Sequence, residues 1–217
     1  HDAHDHHHKE SFITKYLFTQ DHKMIAKQYL VTAIIMGALG IMLSALFRLK
    51  LGWPDEKFQI MESILGSDAV TDAGLLNSNW YLGLVTLHGT IMVFFVLTGG
   101  LSGTFSNLLI PLQVGARDMA SGLLNMIAYW LFFLSSLLMA ASLFIETGPA
   151  MAGWTVYPPL SVLEEFQPGS GLGMTLWLLS MTVFIASSLL GGINYIVTIL
   201  NLRTKGMSMT RLPLTIW

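Results

Sequence analysis

His88 stands inside a long uncharged run, Trp80-Tyr81-Leu82-Gly83-Leu84-Val85-Thr86-Leu87-His88-Gly89-Thr90-Ile91-Met92. A lone imidazole among apolar residues either hydrogen-bonds a neighbouring helix or ligates a metal. In a helix that begins near Trp80 it lies roughly 12 Å below the helix end. Gly89 follows it and Gly83 precedes it by five. Neither brings a side chain that would block a flat macrocycle, so the spacing admits an axial ligand to haem iron beside the ordinary packing role. A six-coordinate haem needs a second ligand, and no other histidine falls within an uncharged span. Arg48 closes an earlier apolar run at a similar expected depth. Its guanidinium can snorkel to the interface. It can also donate to an electronegative haem substituent and raise the haem potential.

A second group of polar residues follows. Asn107, Pro111, Gly115, Asp118 and Met119 lead to Asn125. A carboxylate at a channel mouth collects protons, and buried amides hold ordered water beneath it. Tyr29 and the pair Ser187-Ser188 add hydroxyls. The plainer alternative makes Asp118 a helix cap and the serines links to their own or a neighbouring helix. Nineteen residues separate His88 from Asn107, roughly 28 Å of helix and about one bilayer core. Electrons and protons arriving from opposite faces would charge the membrane.

The elements that must position these residues are membrane helices. The 217 residues are 53% hydrophobic and only 11% charged, against about 25% charged in soluble domains. Mean hydropathy is +0.60. Such a composition cannot cover a water-facing surface. The spans 30–47, 73–116, 119–145 and 166–202 are the clean ones, apart from their polar residues and Glu146 and Arg203 beyond them. Read against a requirement of about 20 residues per crossing, they predict four transmembrane helices near 29–49, 80–110, 122–146 and 172–201. Residues 1–28 form a His-rich arm, without the apolar core of a cleavable signal. Its His1-Asp2-Ala3-His4-Asp5-His6-His7-His8 run is read as a solvated arm with weak metal affinity at most. The tail Arg211-Leu212-Pro213-Leu214-Thr215-Ile216-Trp217 turns apolar and reads as the start of a fifth helix.

Net charge is −2, which argues against nucleic acid as a partner. Cysteine is absent, which removes thiolate metal sites and c-type haem attachment. Eight cations, Lys9, Lys15, Lys23, Lys27, Arg117, Arg203, Lys205 and Arg211, fall on one side of the four spans. Arg48, Lys50 and Lys57 fall on the other, with most of the acids, Glu146, Glu164 and Glu165 among them. The positive-inside rule puts the N-terminus in the cytoplasm. On the outer side, Gly153-Trp154-Thr155-Val156-Tyr157-Pro158-Pro159-Leu160 is stiff and aromatic, an interfacial belt or a lid over a buried group.

At these residues the chain resembles subunit I of the haem–copper oxidases, the aa3-type cytochrome c oxidase branch in particular. Asp21-His22-Lys23 with Ile25 and Tyr29-Leu30, and Leu46-Phe47-Arg48 with Leu51-Gly52 and Pro54, are similar to the two ends of that family's first helix. His88-Gly89-Thr90-Ile91-Met92 is similar to its low-spin haem segment. Asn107, Pro111-Leu112, Gly115-Ala116, Asp118-Met119-Ala120 and Asn125 fall at its spacing for a proton-channel mouth. Gly153 to Leu160 matches its outer loop, and Ser187-Ser188, Gly191 and Asn194 match its fourth helix.

The resemblance implies an all-α membrane protein, the first four helices and the start of a fifth from a 12-helix bundle. It implies that His88 is an axial ligand of low-spin haem a and that Arg48 hydrogen-bonds the formyl group of that haem. It makes Asp118 the mouth of the D proton channel, with Asn107, Asn125, Tyr29, Ser187 and Ser188 along it. The implied activity is reduction of O₂ to water coupled to proton pumping, in a bacterial inner membrane. The high-spin haem, the copper and their ligands are expected beyond Trp217, so this stretch alone is not catalytic. Implied partners are the remainder of subunit I, subunits II and III, membrane lipid, and cytochrome c or a quinol-linked donor. Ser121-Gly122-Leu123, Met126 and Arg117 depart from the family pattern around the channel mouth, and Lys50 departs at an outer cation site. Two other readings are a quinol-oxidising member of the family and a non-catalytic membrane scaffold.

Overall fold

A computed structural model describes residues 12–145, 148–163, 165 and 171–217. The His1–His8 run, Glu146 and Glu164 lie outside the described residues. The described chain is helical, with one isolated bridge between Val70 and Leu76 as its only β pairing. Four helices among the described residues are long and apolar enough to cross a membrane. They are α1 (His22–Gly52), α3 (Ser78–Val114), α4 (Gly122–Phe144) and α5 (Leu172–Asn201). A short α2 (Gln59–Leu65) lies in the connection between the first two.

Local chemistry sets the ends. Asp21 caps α1, its carboxylate accepting the Lys23 N–H at 3.4 Å, so the helix begins at His22 within the segment read as the arm. Asn77 caps α3 through the Asn79 N–H at 3.0 Å. That helix stops at Gly115, whose φ of +75° is the left-handed conformation glycine favours at a helix end. Ser121 caps α4 by accepting from Leu124 N–H.

The helix α3 is not uniform. From Ile91 to Leu101 it is wound as a π-helix, and Thr98 Oγ1 donates to the carbonyl five residues back, Val93, at 2.8 Å. This is longer than the single-turn π-bulges usual in helices. It begins three residues after His88, so the 3.6-residue face repeat does not carry from His88 to Asn107.

α1 packs along α3, and α4 lies along α5. The seam between the pairs is aromatic: Tyr29, Phe95, Phe132 and Phe184 are all buried with ring centroids 5.0–6.2 Å apart. Close approach is permitted by glycine. A Cβ on Gly99 would meet Phe132 and Phe184, and one on Gly103 would meet the Tyr29 ring. The outward faces stay apolar, with Ile34, Ile35, Ile41 and Leu189 all exposed, as lipid or further membrane helices require.

Candidate functional site

His88 is half-buried on α3. Its Nδ1 lies 2.8 Å from the carbonyl oxygen of Gly40 on α1. A carbonyl only accepts, so Nδ1 carries the proton and Nε2 keeps its lone pair in the neutral ring. The opposite face of α3 is held by two threonines. Thr86 Oγ1 accepts the N–H of Gly153, at 3.0 Å, from the outer loop. Thr90 Oγ1 accepts Trp177 Nε1–H, at 3.1 Å, from α5. The helix is therefore clamped on one side while the imidazole is oriented on the other.

Phe47 sits between the two residues expected at the outer site. Its ring meets the His88 ring edge-on at 5.6 Å, and the Arg48 guanidinium lies 5.1 Å from its centroid. Arg48 is exposed, with only a long contact of 3.5 Å to the Ser44 carbonyl. The two glycines differ in use. Gly89 faces open space, with nothing within 4 Å of a Cβ placed there. Gly83 is taken up by the outer loop, since a Cβ there would strike the Pro149 ring, so it leaves no room for a macrocycle. Trp154 of that loop packs edge-on against Phe94 at 5.7 Å.

These features fit a haem. The imidazole has a free Nε2 in a fixed tautomer, its neighbour is a glycine beside open space, and a guanidinium with spare donors stands one aromatic ring away.

At the other end of α3, Asp118 is half-buried in the connection to α4, and its Oδ1 accepts the Met119 N–H at 2.7 Å. Ser121, not Asp118, caps α4. The connection is tied to α5 by side chains. Asn194 accepts the Ser121 N–H at 2.9 Å and donates to the Ser121 carbonyl at 3.0 Å. Thr198 Oγ1 accepts the Ala120 N–H at 2.9 Å. Thr204 N–H and Oγ1 both donate to the Val114 carbonyl.

Asn107 is fully buried, and its surroundings follow from a proline. Pro111 lies four residues on and has no N–H, so the Asn107 carbonyl lacks its helical partner. Buried His22, the first residue of α1, fills the gap by donating Nδ1–H at 2.7 Å. The Asn107 amide spends both donors, on the Gly103 carbonyl at 2.7 Å and the Tyr195 hydroxyl at 3.1 Å. Its Oδ1 has no partner among the described residues. Asn125 is fully buried too, with neither amide atom partnered among the described residues. Unpaired buried amides of this kind are where ordered water sits.

Tyr29, Ser187 and Ser188 come together around one cavity of about 210 Å³, with Gly99, Gly103 and Tyr195. Ser187 Oγ donates to the Ala128 carbonyl at 2.7 Å, which also links α5 to α4. Asn125 and Asp118 do not line this cavity. Tyr195, His22 and Thr198 carry polar contacts that the sequence reading did not assign. Signals existed for two of them. Pro111 four residues after Asn107 announces an orphan carbonyl, and Ser187, Gly191 and Tyr195 repeat at intervals of four on one helix face.

Residues 24–217 match the family profile described as "Cytochrome C and Quinol oxidase polypeptide I". The chain is 44% identical over 210 residues to an alternative cytochrome c oxidase subunit 1 of Bradyrhizobium diazoefficiens, covering 97% of this chain and 33% of that protein. It is 37% identical over 202 residues to a cytochrome c oxidase subunit 1 of Thermostichus vulcanus, covering 93% and 32%. It is 33% identical over 205 residues to a putative cytochrome c oxidase subunit 1-beta of Streptomyces avermitilis, covering 94% and 33%. The chain thus spans about a third of the length of these relatives.

Proposed function

The chain belongs to the cytochrome c and quinol oxidase polypeptide I family, and from that premise we propose that it forms the first four membrane helices of a proton-pumping oxygen reductase. In this reading His88 Nε2 would ligate the iron of low-spin haem a, and Arg48 would donate to the formyl group of that haem. When bound, the haem supplies one-electron transfer toward the oxygen-reducing centre, whose high-spin haem and copper are held elsewhere in the subunit. The observation that carries the reading is the His88–Gly40 hydrogen bond. It holds the proton on Nδ1, orients the ring and raises the basicity of the ligating nitrogen. The Phe47 ring packs edge-on against the imidazole and beneath the Arg48 guanidinium, which limits ring rotation.

On the cytoplasmic side Asp118 collects protons. The unpaired amides of Asn125 and Asn107 hold water below it, and Tyr29, Ser187 and Ser188 line the cavity that continues the path. The cation distribution supports a cytoplasmic N-terminus in a bacterial inner membrane. The remainder of subunit I and subunits II and III complete the enzyme, with cytochrome c or quinol as the source of electrons.

The test is His88→Ala in the assembled oxidase. The low-spin haem band in the reduced-minus-oxidised spectrum is expected to vanish, and one haem per enzyme to be lost in a pyridine haemochrome assay. An unchanged spectrum and haem count would remove the ligand assignment.

A further inference from the structure

Tyr195 lies on α5 where three features meet. Its hydroxyl accepts Asn107 Nδ2–H at 3.1 Å. Tyr195 lines the cavity shared by Tyr29, Ser187 and Ser188. It also lines a second cavity of about 260 Å³ with Ser106 and Thr215. Gly103 also bonds the Asn107 amide and lines the serine cavity, but through a carbonyl that has no proton to exchange, whereas Tyr195 does so through a hydroxyl.

We propose that the Tyr195 hydroxyl is a further member of the proton path, joining the Asn107 amide to the serine-lined cavity. The proposal rests on the proton-path reading of Asp118, Asn107 and the serines. An amide orients water but passes protons poorly, because taking a proton on its oxygen and losing one from its nitrogen leaves the high-energy imidic acid tautomer. A phenol passes them readily. A proton arrives from a water on the free lone pair of the oxygen while the original O–H proton leaves to the next water, and rotation of the new O–H restores the start. One proton moves, and the phenol is never ionised. With one lone pair held by Asn107, the Tyr195 oxygen keeps one lone pair and one O–H for this exchange.

The same bond fixes Asn107. Both of its donors are spent, on Gly103 and Tyr195, so Oδ1 is left as a buried acceptor with no partner among the described residues. A water at Oδ1 must donate to it. Without the Tyr195 hydroxyl, one amide hydrogen is unpaired and the water order at Asn107 changes.

Tyr195→Phe in the full-length subunit within the assembled oxidase tests this, since it removes one oxygen and leaves the ring. Proton uptake during single-turnover oxidation, followed with a pH-indicator dye, is expected to slow by about fivefold, the effect of one net hydrogen bond. The haem spectrum is expected to be unchanged, and the solvent deuterium isotope effect on uptake is expected to rise. Tyr129→Phe is the control, because Tyr129 is a tyrosine whose hydroxyl pairs instead with Thr32; uptake at the wild-type rate is expected. Wild-type uptake in Tyr195→Phe alongside slow uptake in Asp118→Asn overturns the role of Tyr195 and leaves the path standing. Equal slowing in both tyrosine variants also overturns it. Wild-type uptake in Asp118→Asn overturns the path and Tyr195 with it.

Discussion

His88 on α3 donates through Nδ1 to the carbonyl of Gly40 on α1, 48 residues earlier, at 2.8 Å. Gly40 is one of the close approaches of these helices, because a Cβ there would stand 2.8 Å from Met92 Sδ and 3.3 Å from Ile91 Cγ2. The bond thus couples the register of two helices to the orientation of one imidazole. Ring rotation is restricted further by the edge-on contact with Phe47.

Ser121, not Asp118, caps α4, which leaves the Asp118 carboxylate available for the proton-mouth role proposed for it. Asp118→Asn is expected to slow steady-state O₂ consumption by roughly tenfold or more, in the range of losing a proton-transfer group, and to reduce proton release from reconstituted vesicles. The α4 helix is expected to keep its stability. Wild-type turnover with full proton release contradicts the mouth assignment.

Asn125 offers a sharper separation of stability from transport. Both of its amide atoms are buried without a partner in the described chain, so replacing it loses no hydrogen bond within these residues. Asn125→Leu is expected to change thermal stability by less than about 1 kcal/mol, yet to slow proton uptake by excluding water. A large loss of stability would mean that the amide is held by protein and not by water.

Asn194 closes the Asp118-bearing connection onto α5 through two hydrogen bonds to Ser121. Asn194→Ala removes both, a loss of about 1–2 kcal/mol. Amide exchange at Ala120 and Ser121 is expected to quicken by about 5- to 30-fold at that energy, with the haem spectrum intact. Unchanged exchange at those two amides would show that Thr198 and Thr204 hold the connection unaided.

The helical membrane architecture was legible because charge is nearly absent over four long runs, and hydrophobicity at that density has few other solutions. The interior of the candidate site was less so. Asp118 and Ser121 are equally plausible caps by residue type, and only backbone geometry separates them. The π winding of 91–101 has no compositional marker in Ile91-Met92-Val93-Phe94-Phe95-Val96-Leu97, so a face count from His88 toward Asn107 loses register. Gly83 and Gly89 look alike in sequence, and the Pro149 ring that occupies one of them comes from a loop more than 60 residues away. His22 was hidden for a related reason. Its value lies in the carbonyl that Pro111 orphans on another helix, a relationship made by packing of α1 against α3.

The central claim is that His88 Nε2 is a metal ligand while Nδ1 is held by Gly40. The most direct measurement is a density map of the assembled, full-length oxidase at a resolution that separates the imidazole nitrogens from iron. The account predicts porphyrin iron bonded to His88 Nε2, with Nδ1 still on the Gly40 carbonyl. Lipid, protein or water against Nε2, with no porphyrin in contact with it, would contradict the account.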